Sequence, residues 1–304
     1  MTQRKPTVAL AGLGNMGSAV AGRLAARFAV IGFDVDPARR ADAVARGAID
    51  VVDDLALLAR APTLVLSLPT PEISASVVRN LLPDLRRGTL IVETSTVNPA
   101  DMWRLSDLCA GAGIRVVDGA ILSGVAQMAA GRSTLLVGGK PEDLDAAADV
   151  FAALAPRVIR FGSVGSGMAA KVINNAVAHA VMVILVEAGS MAAATGVNQD
   201  DLATLLADPD AGLLRPLSHR FVQRVLRADY QGGMPTEAAR KDSTLALALA
   251  QTSGVPLFAI QGAHTVYELA VAGGLGRLDY ASIAQLWERW TNRSFVAPGG
   301  KGTE

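Results

Sequence analysis

Short apolar runs alternate with amphipathic stretches through the first half of the chain. Thr7–Ala11, Ala29–Phe33, Leu64–Leu68, Leu90–Thr94 and Arg115–Val117 each read as a buried strand. Thr134–Val137 and Val158–Phe161 read as extensions of the same sheet. Met16–Arg27, Pro37–Arg46, Ser74–Leu82 and Glu142–Leu154 read as the helices between them. Pro37 suits a first helical turn, and Asp36 before it suits an N-cap. Strands alternating with helices predict a parallel, doubly wound sheet with an extension.

After Gly167 the strand pattern stops. Ala169–Thr195 reads as one long helix ended by Gly196. Gln199–Leu206 (with Asn198 as N-cap), Ser218–Arg227, Glu237–Ser253, Pro256–Ala272 and Ala281–Trp290 read as further helices. Asp208-Pro209-Asp210 and Gln231-Gly232-Gly233 mark loops, and Phe295–Glu304 reads as a frayed tail. The predicted fold class is α/β: an N-terminal nucleotide-binding (Rossmann) domain over 1–164, then a long interdomain helix and an all-α domain over 165–304. Ala176–Thr195 is as apolar as a membrane span, but it contains His179 and Glu187 and follows Lys171, Asn174 and Asn175. A helix buried between protein layers is therefore predicted, and no membrane partner.

Charge narrows the function classes. The chain carries 28 basic and 28 acidic residues among 304, which gives no reason to expect nucleic acid or an anionic surface as partner. Cys109 is the only cysteine, so no internal disulfide forms, and a reducing, cytoplasmic setting is expected. Residues 1–6 are polar and the run after them is short, unlike a signal peptide. His219 and His264 lack metal-like partners, and no metal is expected. His179 reads as held by a structural hydrogen bond, and Glu187 as an interhelix hydrogen-bonding partner rather than a base.

The densest chemical signal is Gly12-Leu13-Gly14-Asn15-Met16-Gly17, which ends one apolar run and opens a helical stretch. A turn of this kind lets backbone approach a pyrophosphate, and the helix start offers it free N–H groups. Asp34, at the end of the next strand, suits the adenosine ribose hydroxyls and repels an extra phosphate. NAD is therefore expected, with NADP the less favoured cofactor, while Arg39 and Arg40 read as a solvated helix face.

Two strand ends, at Leu66–Pro71 and Glu93–Pro99, belong at the edge of the sheet where a dinucleotide would run. Pro69 can line that cleft and Thr96 can bond the nicotinamide ribose. Ser123 and Gly124, after a further strand, offer a hydroxyl and a backbone N–H to an anionic substrate group. Lys171 and Asn175 lie four residues apart, on one face of the long helix. Such a pair suits carbonyl reduction, the ammonium giving its proton to a developing alkoxide and the amide orienting substrate.

These motifs occur in order with Gly167–Asn175 and Lys241-Asp242, and the whole set resembles the β-hydroxyacid dehydrogenase family, which includes 3-hydroxyisobutyrate dehydrogenase. The resemblance covers nearly the whole chain. It implies Lys171 as the catalytic lysine, Asn175 as a substrate ligand and Asn174 as its support. It also implies that Leu68, Pro69 and Thr96 touch the cofactor, that Lys241 reaches the cofactor or closes the site, and that the chain forms a homodimer or homotetramer. The family usually shows Asp-Ala-Pro-Val-Ser-Gly-Gly, whereas Asp118 to Gly124 here reads Asp-Gly-Ala-Ile-Leu-Ser-Gly. Leu122 thus takes the usual serine position and Ser123 the first glycine.

The expected function is NAD-dependent hydride transfer on a small-molecule substrate, a β-hydroxyacid or related β-hydroxy carbonyl compound, with Lys171 as general acid/base. The altered loop keeps open an imine reductase-like enzyme of the same fold, although those usually lack the lysine. A catalytically silent NAD-binding interaction protein is the alternative from another class. 6-Phosphogluconate dehydrogenase is disfavoured, since that family usually has a much longer helical domain.

Overall fold

The computed structural model describes residues 5–47 and 49–296. The chain divides into two compact units, one running to Ala176 and the other starting at Val177.

The first unit is built on eight strands: β1 (Thr7–Ala11), β2 (Ala29–Phe33), β3 (Asp50–Val51), β4 (Thr63–Leu66), β5 (Leu90–Glu93), β6 (Arg115–Leu122), β7 (Thr134–Gly138) and β8 (Arg157–Gly162). Their order across the sheet is β3-β2-β1-β4-β5-β6-β7-β8. The first six are parallel, as expected. The extension is not: β7 runs antiparallel to β6, and β8 follows β7. A short connection through α5 (Val125–Ala129) joins β6 to β7, too short for the crossover a parallel neighbour needs.

Alternate residues of each strand bury on opposite faces. Val8, Leu10, Val65 and Val92 pack towards α1 (Asn15–Ala25) and α7 (Ala148–Leu154). Ala9, Leu64, Leu66 and Ile91 pack towards α3 (Pro71–Leu81) and α4 (Pro99–Ala110). Both faces being covered, the strands read as continuous apolar runs. In α2 (Pro37–Arg46), Pro37 opens the first turn and the Asp36 carboxylate accepts the Ala38 N–H at 2.8 Å, as predicted.

Three sequence expectations change here. The stretch Glu142–Leu154 is two helices, α6 (Pro141–Ala146) and α7, broken at Ala147. The pattern passes over α4 as an element; Cys109 within it is buried, and burial pushes its thiol up to about 11. β6 continues five residues beyond Val117 because Gly119 is a packing glycine rather than a turn: a Cβ there would lie 2.8 Å from Val92 Cγ1 on β5.

α8 (Ser166–Thr195) is continuous across the division between the units. The second unit contains its later turns, α9 (Gln199–Ala207), α10 (Thr236–Thr252), α11 (Ala259–Ala272) and α12 (Ala284–Thr291). Asn198 caps α9, accepting the N–H groups of Asp200 and Asp201. Residues 216–222 wind as a wide π-helix and 225–227 as a 3₁₀ turn, where a single helix over Ser218–Arg227 was expected. Glu187 accepts the N–H groups of Phe258 (2.6 Å), Ala259 (2.8 Å) and Ile260 (3.0 Å), capping α11 as an interhelix partner. Burial pushes that carboxyl's pKa up, but the three donors outweigh it and hold it below the usual range.

The expected burial of the long helix is not met within one chain. Its most apolar window is only 11% buried, and Val177, Met182 and Val186 are more than half exposed. Trp287 and Trp290 stack edge-on, 5.2 Å apart, and are also exposed. His179 is exposed and shows no hydrogen bond among the described residues, against the expectation of a structural one. His219 and His264 instead meet Ser218 and Ser243, each at 2.9 Å. Of the predicted tail, residues 297–304 lie outside the described residues.

Candidate active site

The residues that line the candidate site belong to the first unit, at the carboxyl edge of its parallel strands, where a cleft of about 840 Å³ opens. One end is made by the turn after β1. Gly12 has φ +98°, and a Cβ there would run into the Ser67 carbonyl oxygen. A Cβ at Gly17 would strike the Gly12 carbonyl in the same way. The two glycines let β1, the turn and α1 close up on one another. Gly14 forms the N-cap of α1 with no side chain capping it. The first N–H groups of α1 therefore open on the cleft, lined by Gly14, Asn15, Met16 and Gly17. A backbone cradle of this kind fits a pyrophosphate.

Leu13 contributes differently from its neighbours in the motif. Its side chain is buried in the core, and its N–H donates to Asp34 Oδ2 at 2.8 Å. Asp34 Oδ1 accepts the Asp36 N–H at 2.9 Å. The carboxylate, 6% exposed, is thus held rigidly at the end of β2 with lone pairs left for ribose hydroxyls. Arg39 departs from the sequence expectation. Because α2 starts directly after β2, its first turn overhangs the crevice, and Arg39 lines the cleft with Nη1 3.6 Å from Asp34. Arg40 donates to the Asp34 carbonyl at 2.6 Å and lies over the Phe33 ring.

The middle of the cleft is formed by the ends of β4 and β5. Leu68 and Pro69 line it. The Leu68 N–H donates to Ser95 Oγ at 2.8 Å, and Thr94 Oγ1 donates to the Leu66 carbonyl at 2.6 Å. These bonds tie the two loops together. Thr96 follows, and its hydroxyl accepts a 2.7 Å hydrogen bond from Lys171 Nζ, 75 residues away in sequence.

Lys171 sits in the second turn of α8, only 9% exposed. It makes no ion pair among the described residues, and burial lowers its pKa below the ordinary lysine value. A buried, uncompensated ammonium loses its proton more readily, as proton exchange with a substrate hydroxyl requires. Asn175 is one turn further and also lines the cleft, whereas Asn174 is exposed and meets Asn175 only at 3.5 Å.

The 123–124 loop carries an arrangement that spacing could not reveal. Ser123 lines the cleft, but its Oγ lies 2.6 Å from Ser133 Oγ, which itself donates to Met128 Sδ. The Ser123 hydroxyl is therefore engaged with Ser133 rather than standing free in the cleft. The Gly124 N–H donates to Gln127 Oε1 at 2.8 Å. Gln127 also lines the cleft, and with its oxygen engaged its amide N–H₂ is the donor this loop offers. Sequence reasoning missed Gln127; its only signal is a capping position three residues after Gly124. Leu122 adds an apolar wall. Lys241 lies on α10 in the second unit, exposed, its ammonium 3.2 Å from Asp242.

Two family models match the chain and meet at residue 165, at the start of α8. Residues 7–165 match the family model for the NAD binding domain of 6-phosphogluconate dehydrogenase. Residues 165–287 match the model described as NAD-binding of NADP-dependent 3-hydroxyisobutyrate dehydrogenase. The chain is 27% identical over 287 residues to 2-(hydroxymethyl)glutarate dehydrogenase of Eubacterium barkeri, covering 93% of this chain and 95% of that protein. A solved structure of Mycobacterium tuberculosis 3-hydroxyisobutyrate dehydrogenase with L-serine is 25% identical, covers 93% of this chain and 99% of that one, and has a TM-score of 0.67. An imine reductase variant from Myxococcus stipitatus in complex with NAD+ shares the fold at 21% identity, with 93% and 99% coverage and a TM-score of 0.84.

Proposed function

The chain belongs to the β-hydroxyacid dehydrogenase family, an NAD(P)-dependent oxidoreductase of CH–OH groups, and we propose that it acts with NAD on a small β-hydroxyacid or a related β-hydroxy carbonyl compound. The observation that carries this reading is the buried Lys171 ammonium, 2.7 Å from Thr96 Oγ1 in the cleft that begins at the glycine turn. The nicotinamide, when bound, supplies the hydride acceptor. The protein's own part is proton transfer and orientation. In oxidation Lys171, neutral, takes the substrate hydroxyl proton; in reduction its ammonium returns it. Asn175 and the free amide N–H₂ of Gln127, on the loop that carries Ser123 and Gly124, face the acid group as donors.

The cofactor preference rests on Asp34, a fixed negative charge where NADP would bring its extra phosphate. Arg39 beside it weakens that preference. Gly12, Gly14, Asn15, Met16 and Gly17 suit the pyrophosphate, and Leu68, Pro69 and Thr96 the nicotinamide half. The exposed apolar face of α8, with Trp287 and Trp290, supports a homodimer or homotetramer in which a second copy covers these residues. Light scattering coupled to gel filtration measures that directly, and a monomer at micromolar concentration contradicts it. The single, buried Cys109 supports a cytoplasmic setting.

Lys171→Ala is expected to lower kcat by about 100-fold or more while NAD affinity is largely kept. Near-normal turnover would end this assignment. An imine reductase-like activity is favoured by Leu122 and by the engagement of the Ser123 hydroxyl with Ser133. A panel of hydroxyacids, semialdehydes and cyclic imines separates the two, and turnover confined to imines would replace the first reading. Tight NAD binding without turnover of any of them would support a silent NAD-binding protein, which the intact lysine argues against.

A further inference from the structure

Two carboxyl groups lie buried beneath the Lys171–Thr96 contact, and neither lines the cleft. Glu93 ends β5 and is 1% exposed; Asp118 lies within β6 and is 0% exposed. They are register partners across the parallel pair, so both side chains leave the same face of the sheet. Neither meets a cation among the described residues. Burying two acids side by side without a cation is costly, so each needs fixed hydrogen-bond donors to persist.

The donors come from the two segments that form the site. Glu93 Oε1 accepts the N–H of Ser95 at 2.8 Å, one residue before Thr96. Asp118 Oδ1 accepts the N–H of Gly165 at 2.8 Å, and its Oδ2 accepts those of Gly167 at 2.9 Å and Met168 at 3.2 Å. Met168 is one helical turn before Lys171 on α8. Glu93 thus anchors the loop that presents Thr96, and Asp118 anchors the helix start that presents Lys171. The two anchors are joined by the β5–β6 pairing below and by the 2.7 Å Lys171–Thr96 bond above.

We propose that Glu93 and Asp118 are a pair of positioning residues that set the Lys171–Thr96 geometry from beneath the cleft. Burial raises both carboxyls, and the Asp118 charge raises Glu93 further. With three N–H donors the Asp118 carboxyl is pushed up only to about 6, whereas Glu93 is engaged through the single oxygen that accepts the Ser95 N–H. The role of Glu93 therefore needs one acceptor oxygen, whereas that of Asp118 needs both. This inference rests on the reading of Lys171 given above, and its test separates the two.

Competitive acetylation of the full chain across a pH series, read by peptide mass spectrometry, gives the titration midpoint of Lys171 without any turnover. Wild type and Glu93→Gln are expected to share one midpoint below the ordinary lysine value. Glu93→Leu and Asp118→Asn are expected to raise it by about one pH unit as the lysine loosens towards solvent. The same two variants should lose about 10- to 100-fold in kcat, since a displacement of about 1 Å is worth that much. Asp118→Asn should then add little to Lys171→Ala. A midpoint that stays or falls in both Glu93→Leu and Asp118→Asn, with thermal melts showing folded protein, overturns the proposal. Lys171→Ala retaining turnover would instead remove the catalytic role of the lysine and leave the labelling result standing.

Discussion

The two ends of the cleft are built on different principles. At the cofactor end, the recognition groups are backbone N–H groups and a carboxylate held by backbone, all within Gly12–Asp34 and ordered by two glycines that admit no side chain. At the end proposed for the substrate the lining groups are side chains from distant segments: Thr96, Ser123, Gln127, Lys171 and Asn175. Several of their donors and acceptors are already engaged within the protein: Lys171 with Thr96, Ser123 with Ser133, and Gln127 with the Gly124 backbone. A cofactor end made of backbone tolerates little change and is rigid. A substrate end made of interlocked side chains can be retuned one residue at a time.

The largest effect should come from breaking the rigid end. Gly12→Ala places a methyl group against the Ser67 carbonyl at a backbone angle that L residues rarely adopt. A loss of about 100-fold or more in NAD affinity is expected, with a lowered Tm, measured by fluorescence titration and thermal melting. Unchanged affinity would mean the turn is not the cofactor's cradle.

The pH dependence sharpens the other end. Burial lowers the Lys171 pKa, so the neutral base is reached at lower pH than in a free lysine. Oxidation should rise about tenfold per pH unit along one limb and level off below pH 10.5, with reduction falling over the same limb. Profiles of kcat in both directions check this, and Lys171→Ala should flatten them. The sign for folding is the same: charged Lys171 is penalised in the folded state, and the penalty is relieved as pH rises through its lowered pKa.

A smaller effect is expected where the two principles meet. Asp34→Ala should narrow the preference for NAD over NADP by about tenfold, and Arg39→Ala should widen it. Ratios of kcat/KM for the two cofactors measure this, and a parent enzyme preferring NADP would refute the reading of Asp34. The smallest belongs to the loop. Gln127→Ala removes one free amide donor but releases the Gly124 N–H, so KM for a hydroxyacid should rise by only about 3- to 10-fold. A loss of kcat with KM unchanged would move Gln127 out of substrate binding.

The contrast also explains what could be read in advance. Glycine turn, Asp34 and the Pro37 helix start are local, and each appears in the structure where the pattern puts it. Lys171 and Asn175 share a face because helical spacing is local too, and both line the cleft. Arg39 was misjudged because its helix face says nothing about which crevice the first turn overhangs. Gln127 was missed, and Gly124 was read as a free donor, because the bond between them is visible only once the loop is folded. The antiparallel β7 escaped for a related reason: apolar runs carry no sign of direction.

Chain order and side-chain type by themselves determined the alternation of strands and helices, the change to helix after Gly167, the glycine turn and the shared helical face of Lys171 and Asn175. These depend on periodicity, on steric limits at glycine, and on contacts within a few residues. The tertiary structure alone decided that Lys171 meets Thr96 across 75 residues. It also decided that Glu93 and Asp118 lie paired beneath that contact, and that the later turns of α8 stay uncovered in one chain. The physical reason is that burial, pKa and the partner of each donor are set by neighbours that strand order and packing bring together, and those distances are not written in local spacing.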